Sequence, residues 1–163
     1  MASPPEVVKP NGALRFGSKE FDPLTYSQVT QMARLVDVRL IESMFKLDPM
    51  YIDHFSPEGP DYTLSFEGRV ASYGFDAENG NALGTYAWTA DAKVGNRKIV
   101  KLKAVFLVVY GELENSPEQY VRLYFSKIAR FTTYPYFRSH TANSMSSAGL
   151  IFPPLPSLTE RVD

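Results

Sequence analysis

Tyr134-Pro135-Tyr136-Phe137-Arg138 opens a stretch that continues to Gly149 and then into Phe152-Pro153-Pro154-Leu155-Pro156. Proline suits the first turn of a helix, where no N–H donor is needed and the ring presets φ. Glycine suits the position just past a helix, where the chain turns left-handed. A helix is therefore expected between Pro135 and Gly149. The thirteen intervening residues contain neither Pro nor Gly, about 20 Å of helix at ~1.5 Å per residue. Most of them are small or polar: Ser139, Thr141, Ala142, Asn143, Ser144, Ser146, Ser147 and Ala148. Such a helix buries only a narrow stripe, through Phe137, Thr141, Met145 and Ala148. It suits the wall of a groove better than the centre of a bundle.

Upstream, Ser116-Pro117-Glu118-Gln119 carries the parts of a capping box, and Tyr120, Val121, Tyr124 and Ile128 recur at helical spacing. This predicts an earlier helix that ends before Pro135. Before it the sequence alternates with period two. Residues 34–41 read as a strand with Val36, Val38 and Leu40 on one face. Residues 62–75 place Tyr62, Leu64 and Phe66 together. Residues 82–94 place Tyr86, Trp88, Ala90, Ala92 and Val94 together, and 99–112 form a last strand, apolar throughout from Val105 to Tyr110. The turn formers at 76–80 and Gly95-Asn96 mark hairpins, and the prolines around 49–60 a long connection. The expected fold class is α+β: a four-stranded antiparallel sheet with two C-terminal helices packed on one face. Pro4, Pro5, Pro10 and Pro23 make 1–26 a flexible N-terminal arm ahead of one domain over 27–163.

Composition narrows the function. Seventeen Lys and Arg against eighteen Asp and Glu leave a net charge of −1, which argues against a nucleic-acid footprint. The absence of cysteine removes disulfides, thiol nucleophiles and thiolate metal sites together. No apolar run approaches the ~18 residues of a spanning helix, and no signal-peptide pattern opens the chain, so a cytoplasmic protein without membrane insertion is expected. The two histidines, His54 and His140, lack metal-ligand spacing. Asp53-His54 has no Gly-x-Ser-x-Gly elbow to serve. The glycines from Gly74 to Gly84 sit in a hairpin, with no Gly-Lys-Ser/Thr to cradle phosphate. No enzyme, cofactor or metal is expected.

The order strand, short helix, Pro-Tyr-x-Arg, helix, Gly and Pro-Pro-Leu-x resembles SecB and the SecB-like chaperones. The likeness covers residues 33–158 in layout and is motif-specific over 135–156. Tyr-Pro-Tyr-Phe-Arg and Gly149-Leu150 are more similar to the divergent SecB-like branch, some of whose members serve toxin–antitoxin systems. The resemblance implies an ATP-independent holdase that takes unfolded or partly folded clients in a hydrophobic groove. It further implies a homotetramer, built as a dimer of dimers, and SecA or an antitoxin as partner. Carried over by position, Tyr62, Leu64 and Phe66 match the groove strand, and Phe137, Ala142 and Met145 belong to the helix beside it. Export SecB docks the motor ATPase SecA through acids on its exposed sheet face. Val109 stands here at one such position and Arg39 near another, so charge complementarity with that motor is weakened. An adaptor that uses the same surface for one folded partner, and is not a chaperone, is the alternative.

Overall fold

The computed structural model describes residues 21–51 and 62–158. The elements are α1 (Pro23–Met32), β1 (Arg34–Leu47), β2 (Thr63–Asp76), β3 (Asn81–Val94), β4 (Arg97–Gly111) and α2 (Glu118–Ser147). The strands form one antiparallel sheet in the order β1-β4-β3-β2. β1 and β2 are thus its two edges. The α+β class stands as the alternation predicted it.

The hairpins follow from local chemistry. The Asp76 side chain accepts from the backbone N–H groups of Glu78 and Asn79, both at 3.1 Å, and from Asn79 Nδ2 at 2.7 Å. Gly80 completes that turn at φ 63°, a conformation glycine adopts without a Cβ penalty. β3 presents Tyr86, Trp88, Ala90 and Ala92 to the helix side, all buried. In the register, β4 sets Phe106, Ala104, Leu102 and Val100 opposite them, also buried. These two central strands are the floor of the core.

β1 runs further than expected, and two register shifts, between Leu35 and Asp37 and between Leu40 and Glu42, change its facing. A bulge inserts one unpaired residue and resets the alternation. Leu35, Val38, Leu40, Ser43 and Phe45 therefore share the helix side, opposite Tyr110, Val108, Phe106, Ala104 and Leu102. Val36 is set off this face, not grouped with Val38 and Leu40 as plain alternation suggests. On the opposite face Arg39 pairs with Asp37 at 2.6 Å, Lys103 with Glu42 at 2.7 Å and Lys98 with Asp91 at 2.6 Å. Lys46 stands directly across from Lys101.

The two expected C-terminal helices are one. α2 spans 30 residues with Pro135 inside it. Proline deletes one internal hydrogen bond and crowds the preceding turn, a cost of ~3 kcal/mol in a helix interior. The packing on either side outweighs it, because Thr133, Tyr134 and Phe137 are all buried against the sheet. The capping box also fails: α2 begins at Glu118 with Pro117 at the cap and no side-chain cap bond. Ser116 instead closes a turn onto Leu113 through its backbone N–H at 3.1 Å. The other end matches expectation. Gly149 has φ 72°, its N–H reaches Ser146 O at 2.9 Å, and Leu150 N–H reaches Met145 O at 3.0 Å, the Schellman pattern.

α1 begins at Pro23, inside the stretch expected to be an arm. Asp22 caps it, accepting from Leu24 N–H at 3.0 Å and from the Thr25 hydroxyl. The Asp22 N–H in turn donates to Tyr120 Oη at 2.8 Å, which ties α1 to α2.

Candidate binding channel

α2 lies across the sheet so that its two flanks meet different edges. On one flank His140 Nε2 and Ser43 Oγ of β1 are 2.7 Å apart. On the other, the Tyr134 ring stacks on Phe66 of β2 with centroids 5.6 Å apart. The floor under α2 is rigid. Trp88 stacks on Phe137 at 5.2 Å and 12°, and its Nε1 donates to Thr133 Oγ1 at 2.8 Å. Thr133 passes the bond on to Ala129 O at 2.7 Å. Every polar atom in that chain is satisfied, which fixes the ring orientations.

Beside this sealed floor, β2 is only half roofed. Its helix-side residues Leu64, Phe66, Val70, Tyr73 and Phe75 all pack on the core, yet each remains partly exposed. The cause is topological: β2 is an edge, and one helix cannot cover four strands. Between β2 and the second half of α2 this leaves an apolar channel, along which the chain's own Phe152, Leu155 and Pro156 are laid. Tyr62 lies at its mouth, stacked on Phe152 at 4.8 Å.

The six residues expected to bind a client separate into two groups. Leu64 and Phe66 are half-buried on β2, Tyr62 is half-buried just ahead of it, and Ala142 is exposed on α2. Ala142 follows Tyr134 by two helical repeats of four, which puts it on the flank toward β2. Phe137 and Met145 face inward instead, 0% and 2% exposed. Phe137 supports Trp88 from above, and Met145 joins Ala92, Ile99, Val100 and Leu150 in a second apolar core. They brace the channel from beneath. Sequence reading left out Val70, which lies in phase with Leu64 and Phe66, and Tyr73 and Phe75, whose phase the bulge between Val70 and Ser72 resets; they carry the row toward the first half of α2, where Tyr73 meets Phe125 at 5.3 Å. It also missed Tyr134 on α2, and Phe152 and Leu155, whose signal is a spacing of three that strand and helix templates do not test.

The electrostatics are those of a dry surface. Burial raises the Tyr62 hydroxyl, and burial raises Tyr134 against the opposing pull of Arg138 and Arg130. Tyr73 is pushed up to about 12, first by burial and then by Glu118, with Arg122 working the other way. Its hydroxyl is buried without a hydrogen-bond partner. Among the described residues no three His, Asp or Glu side chains come together as a metal site, and no described helix is long and apolar enough to cross a membrane. His54 lies outside the described residues. What this channel can do is adsorb apolar side chains.

No protein-family model matches the sequence, and no curated protein matches it. Among solved structures the fold is similar to that of the SecB-like chaperone of Mycobacterium tuberculosis in complex with a ChAD peptide from the HigA1 antitoxin. The TM-score is 0.67 at 14% identity, over 83% of this chain and 97% of that one. At that identity the likeness is one of fold, and the fold is SecB-like.

Proposed function

We propose that this protein is an ATP-independent holdase that adsorbs non-native polypeptide in the channel between β2 and α2, for the protection of an antitoxin-type client. The observation that carries the reading is the half-open row of apolar side chains on β2, set against a floor that is fully sealed. The peptide-bound state of the similar structure supports the choice of client class. Cytoplasmic placement and assembly as a dimer of dimers belong to the same reading.

No catalytic group is needed. Each large apolar anchor contributes ~1.5–3 kcal/mol when fully buried, so tight binding requires several anchors on one client. Linking them makes each later contact intramolecular. The opposite sheet face supports a role apart from the export motor, since Lys101, Lys103 and Val109 hold its centre and Arg39 is paired with Asp37.

The test is a double variant, Leu64→Asp at a half-buried position with Ala142→Asp at an exposed one. Its folding is checked by circular dichroism and a urea melt. Suppression of aggregation of two unrelated unfolded proteins should fall at least ~10-fold in effective concentration, the loss of ~1.4 kcal/mol or more. A folded variant that protects as well as the parent overturns the site. A parent that protects neither protein points to an adaptor with one folded partner.

A further inference from the structure

Beyond Gly149 the chain doubles back. Leu150 is buried, Tyr62 stacks on Phe152 at 4.8 Å, Leu155 is 2% exposed within the main core, and the Tyr134 hydroxyl donates to Pro156 O. The segment thus runs antiparallel to α2 on the flank that faces β2, inside the channel itself. The lengths agree. Tyr134 to Gly149 covers about 22 Å of helix, and Leu150 to Pro156 covers about 19 Å at polyproline spacing.

From Phe152 onward the burial repeats every three residues, with Leu150 buried ahead of the repeat. Phe152, Leu155 and Leu158 turn inward, while Ile151, Pro153, Pro154, Pro156 and Ser157 are exposed. Three residues per turn is the period of a polyproline II helix. The three prolines fix their own φ and hold the residues before them extended. Residues 150–158 carry no regular secondary structure, so a ladder of backbone bonds does not hold the segment in place. Among what holds it are the side chains of Leu150, Phe152, Leu155 and Leu158, the Leu150 N–H bond to Met145 O at 3.0 Å and the Tyr134 hydroxyl bond to Pro156 O.

We propose that residues 150–158 are an exchangeable occupant of the channel. The ligand that replaces them is an extended polypeptide segment, tolerant of proline, with a large apolar side chain at every third residue. The inference rests on the channel being the client site and names the chemistry of the client. Because the segment is tethered, it competes at a high effective concentration, on the order of millimolar. The apparent affinity for a client is reduced by the fraction of molecules in which the channel is open.

The probe is a synthetic peptide, Leu-Ile-Phe-Pro-Pro-Leu-Pro-Ser-Leu, identical to residues 150–158, with a control of the same composition whose apolar residues alternate at spacing two. Both are titrated against the full chain and against the full chain with Phe152→Ala and Leu155→Ala. The weakened variant should bind the first peptide at least tenfold more tightly than the parent, and more tightly than it binds the control. Equal binding by parent and variant overturns the proposal, as does equal binding of the two peptides. If the variant fails to fold, a second measurement decides. The chain has no cysteine, so Ser157→Cys at its exposed position accepts a single environment-sensitive dye. Saturating peptide should free the segment and lower the fluorescence anisotropy of the dye, and an unchanged anisotropy overturns exchange. These readouts do not depend on aggregation assays. A failed holdase with a successful exchange, and the reverse, are therefore told apart.

Discussion

Gly68 sits on β2 directly opposite Trp88, and the adjacent rings occupy the space a side chain would need. A Cβ added there would lie 2.6 Å from Tyr86 Cε1 and 2.7 Å from both Trp88 Cε3 and Cζ3. Ordinary contact begins about 0.7 Å further out. Neither ring has an easy retreat. Trp88 is clamped between its stack on Phe137 and its bond to Thr133, and Tyr86 packs against Trp88 at 5.2 Å. Overpacking a tight core costs ~1–3 kcal/mol, and these constraints place Gly68→Ala in the upper half of that range. Alanine returns ~0.5–1 kcal/mol through its lower chain entropy in a strand. The net expectation is a destabilisation of ~1–2 kcal/mol. Gly74→Ala, on the same strand, is the control. Its Cβ meets nothing nearer than Leu83 O at 3.9 Å, so only the entropic gain remains and the variant should be more stable by ~0.5–1 kcal/mol. Urea melts followed by the single tryptophan measure both, with m unchanged as the sign of an intact two-state transition. Two shifts of the same sign, or a Gly68→Ala midpoint equal to that of the parent, would refute the account of the floor.

Further outcomes follow from the buried polar atoms and the caps. Thr133→Val keeps the shape of the side chain but strands Trp88 Nε1 in the core. It should cost ~1–3 kcal/mol in the same urea assay, and a loss under ~0.5 kcal/mol would show that the bond adds little. Burial, the leading cause in each case, pushes Tyr73, Tyr86 and Tyr110 up to about 12 from an ordinary value of 10.0. Their contribution to stability is complete below pH 10 and is lost as pH rises toward 12. Tyrosinate absorbance should therefore reach its full ten-residue amplitude only with alkaline unfolding, and full amplitude in a still-folded sheet would contradict it. Asp22 is held below its ordinary 3.8 first by the Thr25 hydroxyl and then by the Leu24 N–H. Its capping is present above that value and lost as pH falls. Amide protection in α1 should decline in acid before that of β3 and β4, and simultaneous loss would refute an independent cap.

How far the sequence revealed the molecule depends on which forces were local. The β2, β3 and β4 alternation was legible because a two-residue period translates directly into facing, and Trp88, Ala90 and Ala92 lie where that period puts them. β1 was misread at Val36 because a bulge leaves no signature in a single sequence. Pro135 was read as a helix start on local grounds, while burial of Thr133, Tyr134 and Phe137 carries the helix through it. Tyr62, Leu64 and Phe66 were legible as one apolar row from their alternation, while their half-buried state depends on β2 being an edge. Phe137 and Met145 could not be distinguished from channel residues by spacing alone, since a stripe on a helix gives the same pattern whether it faces a core or a groove.

The lysines that meet across β1 and β4 have a consequence for how the fold responds to its medium. Lys46 and Lys101 are directly opposed and both exposed, and like charges in that arrangement weaken the rung they occupy. Their repulsion reaches through water over a distance of about 10 Å at 0.1 M ionic strength and about 30 Å at 0.01 M. Dilute buffer therefore loosens the end of β1 that carries Lys46, and added electrolyte firms it. That one rung of like charges makes the margin of this sheet sensitive to dissolved salt.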